Sequence, residues 1–139
     1  MHRYDIYLLK TEYANSFVRA EDKLFRLFKE YETVKPLYEI VKKQIEYICR
    51  PLSMDEITEQ LPFHKKKMAG GKVIFIEDEQ KMKMSINEQR IQLWSEEGHD
   101  DEWPWFDTLQ SLDPYFFACD VQREKYGWLK PVKFKSLLI

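Results

Sequence analysis

Two short apolar runs near opposite ends of the chain place the strongest constraint on its fold. The first, Tyr4–Leu9, reads YDIYLL, and the second, Tyr115–Cys119, reads YFFAC. Short runs rich in aromatic and aliphatic side chains are typical of strands that are buried inside a sheet. We therefore expect both runs to lie at the centre of a sheet, with the rest of the chain packed around them.

Helical periodicity follows the first of these strands. Apolar side chains recur every three or four residues, which predicts a helix over residues 11–32. The segment Thr11–Arg19 is either the start of this helix or a separate short helix before it. A second helix is expected to begin at Pro36 and to end before Pro51, because proline suits a first turn and disfavours helix in the preceding residue. The core stripe of this second helix consists of Leu37, Val41, Ile45 and Ile48.

Two shorter helices are indicated by local signals. Ser53 and Glu56 have the spacing of a capping box, which predicts a helix over Met54–Leu61. Pro104 sits at the start of another predicted helix, Trp105–Leu112. A third segment, Phe63–Lys72, is rich in lysine and closes on a pair of glycines, so it is expected to be a basic loop.

The middle of the chain carries a strand pattern instead. Short polar links separate three apolar runs, which favours antiparallel neighbours in a meander. The three predicted strands of the meander are Val73–Ile76, Lys81–Ile86 and Arg90–Trp94.

Near the end of the chain, Tyr126–Leu129 is expected to be a last strand or a tight turn. Gly127 within it is expected to take a backbone conformation that a side chain would hinder.

The order of these elements predicts the fold class. A strand, then helices, a meander, a helix and a final strand indicate an α/β protein. We expect residues 1–139 to form a single domain, with one mixed sheet of about five strands that contains the antiparallel meander and is packed by helices.

Charge and composition limit the classes of function. The formal net charge is −2, whereas a protein that coats DNA usually has a basic excess. The N-terminus lacks the apolar stretch of a signal peptide, and no run approaches the roughly 20 apolar residues of a membrane span. These features favour a soluble, cytoplasmic protein. Cys49 and Cys119 lie in apolar surroundings and are expected to be buried, reduced thiols.

A search for catalytic or cofactor motifs gives little. Gly70-Gly71 precedes a strand, whereas a phosphate-binding loop follows one. His2, His64 and His99 are scattered, and the acidic segment around His99 is better explained as a solvated loop than as a metal site. No catalytic residue, metal site or cofactor is therefore predicted, and the protein is not expected to be an enzyme.

The helix after Pro36 has more apolar surface than one packing face needs. Beside its core stripe runs a second stripe, formed by Ile40, Gln44 and Tyr47. Tyr13 and Phe17 form a comparable aromatic pair before the first long helix. An amide next to a tyrosine, as in Gln44 and Tyr47, suits an interface better than a sealed core. Phe17 fits a position in the core almost as well as a position in an interface.

Three segments together resemble one known family. They are residues 7–15 (YLLKTEYAN), 43–48 (KQIEYI) with Pro51, and 125–133 (KYGWLKPVK), and they resemble the sporulation inhibitor of replication family SirA of endospore-forming bacilli. The resemblance is good at both ends of the chain and weak over residues 53–112. In place of Val18-Arg19-Ala20 the family has a stretch interrupted by glycine, so a continuous helix here would present Tyr13 and Phe17 differently.

The resemblance implies a function and a site. It implies a noncatalytic regulator that binds the N-terminal domain, domain I, of the replication initiator DnaA as a 1:1 complex, with no cofactor, membrane or nucleic acid involved. The implied location is the cytoplasm, with DnaA at the origin or replisome. By position, the family's contacts fall on Tyr13, Phe17, Gln44 and Tyr47.

Two alternatives stay open at this point. The first is a DNA-binding regulator that acts directly at the origin through lysines, and the second is a small enzyme with a dispersed site. The lysines concerned are Lys65, Lys66, Lys67, Lys130, Lys133 and Lys135.

Overall fold

A computed structural model of the protein describes residues 2–33, 36, 38–60, 66–69, 72–77, 82–95 and 103–129. The helices are α1 (Thr11–Ser16), α2 (Glu21–Thr33), α3 (Tyr38–Ile48), α4 (Met54–Gln60) and α5 (Trp103–Leu112). The strands are β1 (His2–Leu8), β2 (Lys66–Ala69), β3 (Lys72–Glu77), β4 (Met82–Ile86), β5 (Ile91–Ser95), β6 (Phe116–Asp120) and β7 (Lys125–Trp128).

The strands form one sheet in the order β2-β3-β4-β5-β1-β6-β7. The α/β class and the antiparallel meander are confirmed. The described residues contribute seven strands to the sheet, where about five strands were expected. It also differs from the expected mixed sheet, because β1 runs antiparallel to both of its neighbours and every other described pair is antiparallel.

The extra strand β2 lies in the segment that was expected to be a basic loop. Lys66, Lys67, Met68 and Ala69 have no alternating apolar pattern, so the sequence gives no strand signal there. Backbone pairing with β3 defines this edge strand, and lysine is common on such edges because it discourages further pairing.

The central strand β1 is buried on both faces, as its composition predicts. Ile6 and Leu8 pack into one core, and Tyr7 and Leu9 pack into the other. Each of the four side chains is at most 6% exposed. The alternation follows from the pleat of a strand. One core is closed by residues of α4 and α5, and the other by residues of α1, α2 and α3.

The segment after β1 is two helices rather than one. α1 ends at Ser16 and is capped by Phe17, whose backbone N–H donates to the carbonyl oxygens of Tyr13 and Ala14. A turn then leads to α2, which begins at Glu21. Tyr13 therefore lies on a short separate helix and Phe17 at the end of it, and the continuous helix is excluded.

The structure contradicts the expectation for Gly127. This residue pairs with Ala118 across β6 and β7 and does not have a positive φ. A Cβ atom added to Gly127 would meet no atom within 4 Å. Its backbone would therefore accept a side chain, and the last strand does not depend on glycine.

Several expected features lie outside the described residues. They include Leu37 of the predicted core stripe, the glycine pair Gly70-Gly71, the segment around His99, and the lysines Lys65, Lys130, Lys133 and Lys135. Among the helices that are described, none is long and apolar enough to cross a membrane.

Candidate protein-binding site

The end of β1, the start of α1 and the end of α3 meet at one junction. The backbone N–H of Lys10 donates to the carbonyl oxygen of Ile48 at 2.9 Å, and that of Arg50 donates to Leu8 at 2.7 Å. Leu9 and Cys49 form an isolated β-bridge between these two bonds. The start of α1 and the end of α3 are thereby held together, although α2 separates the two helices in the sequence.

Two tyrosines come together across this junction. The rings of Tyr13 on α1 and Tyr47 on α3 pack edge to face, with centroids 5.5 Å apart. Tyr47 is 65% exposed, so most of its surface is presented to solvent. Interaction with the neighbouring Tyr47 hydroxyl raises the pKa of Tyr13, so that this residue, like an ordinary tyrosine, is neutral at physiological pH. The result is a partly exposed aromatic surface.

A lysine that the sequence did not single out supports the same ring. The ammonium Nζ of Lys10 lies 5.3 Å from the centroid of the Tyr47 ring, which is a cation–π distance. Lys10 precedes the first residue of α1, so its backbone and its side chain both act at the junction. Lys10 and Tyr47 are far apart in the sequence, so no periodic pattern relates them. The backbone hydrogen bond between Lys10 and Ile48 brings them together.

The second stripe of α3 is exposed, whereas its core stripe is buried. Ile40 is 60% exposed, and Gln44 is also exposed. Val41, Ile45 and Ile48 face the core instead. The structure thus places Gln44 and Tyr47 on one solvent-facing strip of α3, with Tyr13 against the end of that strip.

Phe17, like Tyr13, is only partly exposed, whereas Gln44 and Tyr47 are exposed. It is half-buried and packs against the core that α1, α2 and α3 close. Part of its ring therefore contributes to folding, and the other part is available for contact. Tyr13 and Phe17 both pack against this core, and Tyr13 also contacts the ring of Tyr47.

A second polar cluster lies inside the molecule, between the sheet and α2. Asp5 is 1% exposed, and its carboxylate accepts hydrogen bonds from Arg3 at 3.2 Å and Gln92 at 3.3 Å. Glu32 of α2 is paired with Arg3 at 3.1 Å and also with Arg90. The cluster joins β1, β5 and α2 through charged side chains.

Burial and charge act in opposite directions on the two acids. Burial raises the pKa of Asp5, although Arg90 and Arg3 oppose the shift. Burial would also raise the pKa of Glu32, but the hydrogen bond and charge of Arg90, with those of Arg3, hold it below its usual value. Because both acids are already engaged by arginines, the cluster has the character of a structural network rather than a reactive pair.

Two clefts among the described residues lie away from these acids. One, of about 360 Å³, lies beside the end of α3 and is lined by both signs of charge, including Lys42, Glu46 and Glu88. Another, of about 520 Å³, lies between α5 and β7. Neither is lined by Asp5 or Glu32.

Metal and thiol chemistry have no support in the described part of the chain. Among those residues, no group of three or more His, Cys, Asp or Glu side chains could hold a metal ion. Cys49 and Cys119 are free and buried. Burial raises the pKa of Cys49 to about 12 and also raises that of Cys119, so neither is a ready thiolate.

Comparison with known proteins gives the family. The family described as sporulation inhibitor of replication protein SirA matches residues 2–133, which include the stretch where the resemblance was weak. A Bacillus subtilis (strain 168) protein named sporulation inhibitor of replication protein SirA is 28% identical over 144 aligned residues. The alignment covers 97% of each chain. The chain belongs to the SirA family.

Proposed function

We propose that this protein inhibits the initiation of chromosome replication during sporulation by binding domain I of DnaA. Residues 1–139 would act as a single SirA-like domain in the cytoplasm, without catalysis, in a 1:1 complex with DnaA at the origin or replisome. The contact surface consists of Tyr13, Phe17, Gln44 and Tyr47. The observation that carries this proposal is the exposed Tyr47 ring, held edge-on by Tyr13 in a chain of the SirA family.

The geometry suits a protein partner for a physical reason. Tyr47 contacts both the Tyr13 ring and the Lys10 ammonium, and these contacts reduce the side-chain entropy that it would lose on binding. Gln44 adds an amide that can donate and accept hydrogen bonds. An aromatic anchor beside a polar, directional group is the usual composition of an interface hot spot.

The test measures binding of the full chain to isolated DnaA domain I by calorimetry. Tyr47→Ala should weaken binding roughly thirtyfold or more, since truncating an aromatic anchor often costs about 2 kcal/mol. Tyr126→Ala is the matched control, because Tyr126 is 42% exposed but lies on β7. Absence of wild-type binding, or normal affinity in Tyr47→Ala, would refute the proposal.

A salt titration separates this function from direct DNA binding. Contacts with phosphates release counterions, so the affinity of a DNA-binding protein falls steeply as salt rises. An aromatic protein interface loses little affinity over the same range. We expect DnaA domain I binding to change less than roughly threefold between about 0.05 and 0.2 M salt, whereas several phosphate contacts would cost about a hundredfold or more.

A further inference from the structure

Ile40 is the most exposed large aliphatic side chain that the structure describes. It is 60% exposed and lies four residues before Gln44, on the same strip of α3. Single exposed apolar residues are ordinary on protein surfaces. Ile40 is not isolated in this sense, because the strip continues through Gln44 to Tyr47.

Folding gives no reason for an isoleucine at this position. A side chain that is 60% exposed contributes little to core packing. Isoleucine is also a poorer helix former than alanine, because its branched side chain loses rotamer freedom against the preceding turn. The residue therefore costs helix stability slightly and leaves apolar surface in water.

Charged residues lie beside the strip that Ile40, Gln44 and Tyr47 form. Glu39 and Lys43, neighbours of Ile40 on α3, are exposed. The distance along the helix from Ile40 to Tyr47 is about 10 Å, from the rise of about 1.5 Å per residue. A strip of this length, with an apolar or aromatic side chain at each end, an amide between them and charged residues beside it, has the form of an interface core with a polar rim.

The geometry points to Ile40 as a further contact for DnaA domain I. The bound surface then extends one turn beyond Gln44, toward the N-terminus of α3. This inference rests on the proposed function. The partner that covers Ile40 is again DnaA domain I, because Ile40 continues the strip of α3 that carries Gln44 and Tyr47. The partner surface that covers Ile40 is apolar.

Three substitutions test the contact by calorimetry. Ile40→Ala should weaken binding roughly five- to tenfold, from the apolar area that is no longer buried. It cannot act by unravelling the helix, because alanine favours helix more than isoleucine does. Ile40→Met keeps the apolar surface and should stay within about threefold of wild type. Ile40→Asp should lose more than Ile40→Ala, because it would desolvate a carboxylate.

The matched control introduces the same charge elsewhere. Gln122 is exposed in the turn before β7, so Gln122→Asp should leave affinity unchanged. Normal affinity in both Ile40→Ala and Ile40→Asp would overturn the inference. If Tyr47→Ala still loses binding in that case, the proposed function stands and only the extension to Ile40 fails. If wild-type protein does not bind DnaA domain I, both fail.

Thiol labelling gives a direct measure of burial at Ile40. The two native cysteines are buried, with exposures of 5% for Cys49 and 0% for Cys119. In Ile40→Cys, the introduced thiol is therefore the one that maleimide should modify in the folded protein. Saturating DnaA domain I should slow its modification at least roughly tenfold, with no slowing in Gln122→Cys. Equal rates with and without the partner would overturn the inference.

Discussion

At the scale of the residue, Phe17 and Tyr47, two of the three aromatic candidates, differ in how far they serve the fold. Phe17 is half-buried against the core, whereas Tyr47 is 65% exposed. Phe17→Ala should lower the free energy of unfolding by about 2 kcal/mol, roughly half the cost in a full core. Tyr47→Ala should cost less than about 0.5 kcal/mol.

Thermal melting of both variants checks this difference. A loss of about 2 kcal/mol corresponds to a fall of roughly 6 °C in the melting temperature for a domain of this size, and Tyr47→Ala should stay within about 2 °C of wild type. Equal melting temperatures for the two variants would contradict the assignment. Binding measured on the same proteins then shows how much of the Phe17 effect arises from folding.

Periodicity predicted which side of α3 is exposed, but it could not rank the residues on that side. The spacing of Ile40, Gln44 and Tyr47 separates them from the core stripe. Their degree of exposure depends on what the neighbouring helices cover. The contacts of Tyr13 and Lys10 with Tyr47 could not be predicted from periodicity, since they join segments that the backbone hydrogen bond between Lys10 and Ile48 brings together.

At the scale of the element, Gly127 gives a test of strand β7. Glycine in a strand interior loses backbone entropy on folding, and nothing near this position would obstruct a Cβ atom. Gly127→Ala should therefore raise the free energy of unfolding by about 0.5 kcal/mol, measured by urea denaturation. Ala118→Gly, made at the paired residue of β6, is the reciprocal control and should lower it. A destabilised Gly127→Ala would show that the position requires glycine.

Elements with strong local signals were predictable, whereas those defined by pairing were not. α3 and α5 follow from apolar spacing and prolines, and β1 from its composition. β2 carries lysines and acquires its strand conformation from β3. The interruption between α1 and α2 has no glycine or proline to mark it, so the sequence left both possibilities open.

At the scale of the whole molecule, the sheet order depends on long-range pairing. β1 lies between β5 and β6, which follow it by most of the chain length. Apolar runs indicated that β1 and β6 are buried, but burial alone does not specify strand direction. The mixed sheet was therefore a wrong expectation, even though the buried strands were identified correctly.

Arg90 connects the layers of this fold. Its guanidinium is paired with Glu32 of α2, lies 4.0 Å from the Asp5 carboxylate of β1, and donates to the Tyr7 hydroxyl at 3.2 Å. Its side chain is only 18% exposed. Arg90→Met would leave the buried Asp5 charge with less compensation, and should lower the free energy of unfolding by about 3 kcal/mol at about pH 7. Arg3→Met is the control with the smaller expected loss, because the Arg3 side chain is 37% exposed.

The free energy of unfolding that Arg90→Met removes should become smaller as the pH falls. Protonation of Glu32 and protonation of Asp5 both contribute to this decrease. The wild-type protein loses stability as pH falls through the lowered pKa of Glu32, because protonation ends the pairing with Arg90. In Arg90→Met, the raised pKa of Asp5 rises further, so acidification removes the cost of a buried, uncompensated carboxylate. Urea denaturation at about pH 7 and about pH 3.5 should therefore show the wild-type advantage falling by half or more. A difference that is independent of pH would mean that Arg90 acts through its hydrogen bond to Tyr7 and its packing on the Tyr31 ring, 5.5 Å away, rather than through the two carboxylates.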